Sequence, residues 1–138
     1  MTDPDKLNDA AARVTAPLLA IETSTTVARV AVLDPNSGRR LAAAEAASER
    51  HSSNLLRLCV ETPDRARVSI AGLGAIACGA GPGSFTGLRV GFAVAKGLAV
   101  PTELPLVLVS SLVASGRGRP EGRAWRSTCS TWSPTHPP

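Results

Sequence analysis

Apolar and polar positions along residues 17–112 follow two periods, which together predict five strands and two helices. Leu18-Leu19-Ala20-Ile21 is an unbroken apolar run, as expected of a strand covered on both faces. The hydroxyl-rich stretch Glu22-Thr23-Ser24-Thr25-Thr26 leads into Val27–Leu33. There Ala28, Val30 and Val32 share one face, and Val27, Arg29, Ala31 and Leu33 the other. Asp34-Pro35-Asn36-Ser37-Gly38 is dense in turn residues, so Arg40–Ala46 is expected to return antiparallel as a third strand.

The period changes at about residue 50. From Arg50 to Glu61 the apolar positions Leu55, Leu56, Cys59 and Val60 recur at helical spacing, and Pro63 just beyond predicts the helix end. Ala75–Gly79 is a short apolar strand feeding the turn Gly79-Ala80-Gly81-Pro82-Gly83, after which Ser84 is placed to cap a second helix running to about Ala99. On that helix Phe85, Leu88, Phe92, Ala95 and Ala99 follow the spacing of an apolar face. Gly87 and Gly91, one turn apart, invite another backbone to come close, each at about 1 kcal/mol of helix propensity. Leu104–Ser110 is the fifth strand. The order β-β-β-α-β-α-β predicts an α/β layered domain.

Composition narrows the picture. The 138 residues are 43% hydrophobic but only 3% aromatic, so the core must be built from Ala, Val, Leu and Ile. No apolar run reaches the 18 or so residues of a membrane span, and Met1–Asp9, with Asp3, Asp5 and Asp9, does not resemble a signal peptide. The reading is a soluble, cytoplasmic protein. Cys59, Cys78 and Cys129 have no paired spacing and no histidine at ligand distance, which argues against a disulfide framework or a zinc site and makes Cys59 and Cys78 small buried apolar residues.

The charge of +4 invites a nucleic-acid reading until it is located: residues 1–112 carry net +1 and residues 113–138 net +3. Three regions result. Residues 1–16 are expected to be a disordered tail, 17–112 the domain, and 113–138 an irregular basic tail holding both tryptophans and four of the eleven prolines with no hydrophobic period.

The stretch richest in chemistry is Gly79 to Arg89. A strand, a glycine turn and a capped helix start together present backbone N–H groups and the positive end of a helix dipole. Gly81, Gly83, Ser84 and Thr86, faced by Thr23, Ser24 and Thr25 of the first turn, are candidate phosphate-contacting residues, with Arg89 an additional cation. The same residues equally suit a tight structural turn with close helix packing. The stretch is neither a Walker A loop nor a dinucleotide fingerprint.

Four segments carry a resemblance: Leu18 to Thr25, Arg50 to Leu56, Gly81 to Gly91 and Pro105 to Leu112. In order and spacing they resemble the TsaB (YeaZ) family of the tRNA threonylcarbamoyladenosine pathway, within the glycoprotease-like branch of the actin-like ATPase fold. The resemblance implies an α/β fold, the N-terminal lobe of an actin-like ATPase (ribonuclease H-like) fold, with the second lobe missing. It also implies a non-catalytic scaffold or activator. Such a subunit works with the catalytic paralogue TsaD and with TsaE, meets tRNA through that complex, and supports modification of adenosine 37 in tRNAs reading ANN codons. No cofactor of its own is implied, ATP or ADP belonging at most to the complex interface, and a homodimer is expected when TsaD is absent.

The paralogue's metal-binding H-x-x-x-H pair aligns with Ser111 and Ser115, hydroxyls ill suited to a transition metal, so no metal site is expected. The family's partner surface is its first two helices, which makes His51, Leu55, Leu56, Val60, Gly91 and Ala95 the candidate interface residues. The match fades after Leu112. There the composition suggests an out-of-frame end in GC-rich DNA, or else a basic arm for tRNA phosphates. A nucleotide-binding enzyme using Gly81–Thr86 as a phosphate loop is the competing function. A peptidase lacks any pair of nucleophile and base.

Overall fold

A computed structural model describes residues 15–47 and 51–112. Most of the expected N-terminal tail, Arg50, Ser115, Cys129 and the whole of 113–138 lie outside the described residues.

The elements appear in the expected order: β1 (Leu18–Glu22), β2 (Val27–Leu33), β3 (Arg40–Ala47), α1 (His51–Arg65), β4 (Ala75–Gly79), α2 (Phe85–Thr102) and β5 (Leu106–Val109). They form one mixed sheet of order β3-β2-β1-β4-β5. β1 and β2 pair antiparallel with Ile21 opposite Val30 and Glu22 opposite Arg29, and β2 pairs antiparallel with β3. β1 then pairs parallel with β4, and β4 with β5. Each parallel step is crossed by a helix, since parallel neighbours cannot be joined by a hairpin.

Both helices lie on one face, α1 over β2 and β3 and α2 over β4. They bury a core of Leu19, Ile21, Val30, Val32, Leu55, Leu58, Cys59, Ile76, Cys78, Ala95 and Ala99. The second face is covered by no described element. Ala20, Ala31, Leu33, Ala77 and Val109 line a shallow cleft of about 300 Å³ there, with Glu22 and Arg29 beside it. β1 therefore alternates, Leu19 and Ile21 buried and Leu18 and Ala20 half-buried, where the apolar run predicted cover on both faces.

Both helices run past their expected ends, Glu61 and about Ala99. Pro63 lies inside α1 and Pro101 inside α2, each close to its helix's last residue. Each helix ends in a Schellman motif. Val68 N–H donates to Pro63 C=O (3.0 Å) and Arg67 N–H to Asp64 C=O (3.0 Å), with Arg67 at φ 57°. Leu104 N–H donates to Ala99 C=O (3.1 Å) and Glu103 N–H to Val100 C=O (3.3 Å), with Glu103 at φ 54°. A further 3-10 turn at Ile70–Gly72, capped by Ser69, precedes β4.

Candidate functional site

The glycine loop and the hydroxyl turn do not stand across an open cleft; each is packed on the other. A β-carbon at Gly83 would overlap the Ser24 carbonyl oxygen, one at Gly87 the Thr23 carbonyl oxygen, and one at Gly91 the Thr23 hydroxyl. Spaced four apart, these glycines form one stripe leading down α2, and removing their side chains lets the β1–β2 turn lie directly on the helix. Ser84 N–H donates to Ser24 C=O (2.8 Å), and the Ser84 hydroxyl caps α2 by accepting from Gly87 N–H (3.2 Å).

Of the candidate phosphate residues, Thr23 and Ser24 are buried under α2, 5% and 8% exposed. Thr25 is exposed and engages Val27 of its own turn. Gly81 is buried at φ 85°, while Gly83, Ser84 and Thr86 are exposed. The space between the two loops is filled by their own backbones.

The stripe changes the expected face of α2. The residues turned inward are Gly87, Gly91, Ala95 and Ala99, whereas Phe85, the first of the apolar series, is 73% exposed. Of the expected series Ala95 and Ala99 are buried and Leu88 and Phe92 half-buried, so only Phe85, at the start of the helix, leaves the inward face to the glycines.

Two further contacts hold the loop. The Glu22 carboxylate lies where a Gly79 β-carbon would be, and its Oε1 accepts from Ser24 N–H (2.8 Å). Ser111, buried at the end of β5, accepts from Gly81 N–H through its hydroxyl (3.1 Å) and donates its own N–H to Gly81 C=O (3.0 Å). Sequence reasoning treated Ser111 only as an absent metal ligand. The signal for its present role is that Gly81, turned out of the strand, has a buried N–H requiring an acceptor.

The outward faces of the helices carry the rest. Leu56 and Val60 are 47% and 40% exposed on α1. On α2 a groove of about 290 Å³ is lined by Thr86, Arg89, Val90 and Ala93, and the Arg89 guanidinium stacks 5.5 Å from the Phe85 ring centroid. Three of the candidate interface residues point the other way: Leu55 and Ala95 are core residues and Gly91 is buried against Thr23, so none of them offers a side chain to a partner. The division follows from helix geometry, since Leu55 and Cys59 share one stripe and Leu56 and Val60 the next. His51 begins α1, and its side chain lies outside the described residues.

Ionisable chemistry is sparse. Burial, and secondarily Cys78, pushes the Cys59 thiol up to about 12, and burial with Glu22 nearby pushes Cys78 up to about 11. Both are buried free thiols, as expected. Among the described residues no three of His, Cys, Asp and Glu come together as a metal site, and no helix is long and apolar enough to cross a membrane.

An open mixed sheet of order 3-2-1-4-5 with both crossing helices on one face is the N-terminal lobe of the actin-like, ribonuclease H-like class. Residues 43–117 match the family model of TsaD, tRNA N6-adenosine threonylcarbamoyltransferase. The chain is 36% identical over 114 residues to the tRNA threonylcarbamoyladenosine biosynthesis protein TsaB of Escherichia coli, covering 83% of this chain and 46% of that protein. It is 38% identical over 97 residues to the Haemophilus influenzae TsaB, covering 70% and 40%. The solved structure of YeaZ from Pseudomonas aeruginosa superposes with a TM-score of 0.65 at 35% identity, over 83% of this chain and 50% of that one. The chain belongs to this family, in its TsaB/YeaZ branch. It spans about half the length of the relatives it matches.

Proposed function

We propose that the chain is the N-terminal lobe of a non-catalytic subunit in the formation of N6-threonylcarbamoyladenosine at position 37 of tRNAs reading ANN codons, acting through a TsaD-type partner. The observation that carries this reading is the outward face of the helix pair. It combines two half-exposed aliphatic side chains on α1 with a groove of small residues on α2 rimmed by an Arg–Phe stack. Such a face suits the close approach of a partner's helices, with aromatic and arginine anchors beside a pocket. TsaE and tRNA join through the assembled complex, in the cytoplasm. Without TsaD, the same face pairs two copies of the chain.

The packed seam between the two loops favours this scaffold role over a phosphate loop, since the hydroxyls of Thr23 and Ser24 are buried by the chain itself. Co-purification with a TsaD protein is the test. The full chain is expected to be retained by immobilised TsaD, and Leu56→Asp with Val60→Asp to abolish retention while circular dichroism stays unchanged. Retention of the double variant at wild-type level would sink the assignment of this face.

A further inference from the structure

The β4–β5 ladder runs from Ile76 opposite Leu106 to Gly79 opposite Val109 and continues one step through Ala80 N–H to Val109 C=O (2.8 Å). At the next step the chain leaves the strand direction on both sides. Gly81 turns at φ 85°, and Ser111 with Leu112 begins a helical turn. The two strand ends nevertheless stay joined, because the Ser111 hydroxyl accepts from the Gly81 N–H. The reciprocal bond, Ser111 N–H to Gly81 C=O, makes this a two-point clamp with both residues buried.

We propose that Ser111 is a positioning residue that sets the glycine loop and, through it, the N-terminus of α2. Gly81 is held from one side by Ser111 and from the other by Leu88 of α2, whose Cδ1 lies 2.8 Å from where a Gly81 β-carbon would be. Two residues later Gly83 rests on Ser24, and Ser84 both bonds Ser24 and caps α2. The end of β5 therefore fixes the entry of the helix that presents Phe85, Arg89 and the groove. A buried N–H whose acceptor is removed loses more than one average hydrogen bond. The consequence for partner binding rests on the docking reading above; the clamp itself does not.

The test is amide hydrogen exchange on the full chain, comparing wild type with Ser111→Ala and Ser111→Thr. In Ser111→Ala the amides of Gly81, Ser84 and Gly87 are expected to exchange roughly tenfold faster, with β1–β3 unchanged. Ser111→Thr keeps the hydroxyl and is expected to restore protection. Wild-type protection in Ser111→Ala, or a threonine variant as fast as the alanine one, would overturn the proposal. Should Ser111→Ala lose the fold, Ser111→Cys, with its weaker acceptor, carries the same comparison. Retention by TsaD is measured in parallel, and Ser111→Ala is expected to weaken it several-fold and Ser111→Thr to leave it intact. If wild type itself fails to bind TsaD, the docking reading falls, and the exchange data alone decide the clamp.

Discussion

Under α1 the space between helix and sheet is filled by side chains, with Leu55, Leu58, Cys59 and Thr62 buried over β2 and β3. Under the first half of α2 it is emptied of them, so that Gly83, Gly87 and Gly91 lie against the backbone and hydroxyl of Thr23 and Ser24. The two regions belong to one core yet respond differently to change. A side-chain interface loses stability in proportion to what is removed from it. A backbone-to-backbone seam has nothing to remove and fails when anything is added.

The largest effect is therefore expected from one added side chain in the seam. Gly87→Val drives a branched side chain into the Thr23 carbonyl, and the neighbour is backbone, which cannot swing away. A loss of more than about 4 kcal/mol is expected, leaving little cooperative unfolding in a urea titration. Gly97→Ala is the control on the same helix: nothing lies within 4 Å of its β-carbon, so the helix is expected to gain about 1 kcal/mol. If both variants melt alike, the seam is not close-packed.

Next comes the α1 side. Leu55→Ala empties a fully buried site and is expected to cost about 2–5 kcal/mol by the same titration, with cooperative unfolding retained. A loss below 1 kcal/mol would mean that α1 is loosely seated and that the contrast with α2 is overstated.

A smaller effect separates the regions by pH. Both buried thiols have folded pKa values raised above the ordinary value of 9.0, Cys59 to about 12 and Cys78 to about 11. The unfolded chain thus releases these protons first. Stability from this source is complete below pH 9 and falls as pH rises toward 11 to 12. Urea midpoints measured from pH 8 to 10.5 are expected to decline. Cys59→Ala with Cys78→Ala, less stable overall, should flatten that slope, and an unchanged slope would assign the decline to other groups.

The same contrast explains what was legible in the sequence. Alternation at Ala28, Val30 and Val32 and the turn chemistry of Asp34 to Gly38 placed the meander correctly, because strand period and turn residues are local signals. The helix ends were misplaced because Arg67 and Glu103 adopt a left-handed conformation usually left to glycine, so nothing at those positions announces a cap. Helical spacing put Ala95 on the inward face and marked Gly87 and Gly91 for a close backbone, but which backbone comes close depends on where the β1–β2 turn lands. That is a contact between residues some 65 positions apart in the chain, and no periodicity carries it. Ser111 was hidden for the same reason, its partner Gly81 being 30 residues earlier.

The smallest expected effect gives the finest comparison, because among the described residues each region holds one buried hydroxyl with no hydrogen-bond partner: Thr62 on α1 and Thr23 in the seam. Valine is nearly isosteric with threonine and removes the unpaired polar atom, which by itself favours folding. Thr62 is fully buried on α1, and Thr62→Val is expected to stabilise by about 0.5–1 kcal/mol. At Thr23 the hydroxyl oxygen already sits against Gly91, where even a β-carbon would not fit beside it. A methyl is larger than an oxygen, and the helix backbone beneath it cannot repack. Thr23→Val is accordingly expected to be neutral or to destabilise by about 1 kcal/mol. Opposite signs from one substitution would mark the seam as packed by backbone, whereas equal stabilisation at both sites would show that α2 can yield at Gly91 as readily as α1 does at Thr62.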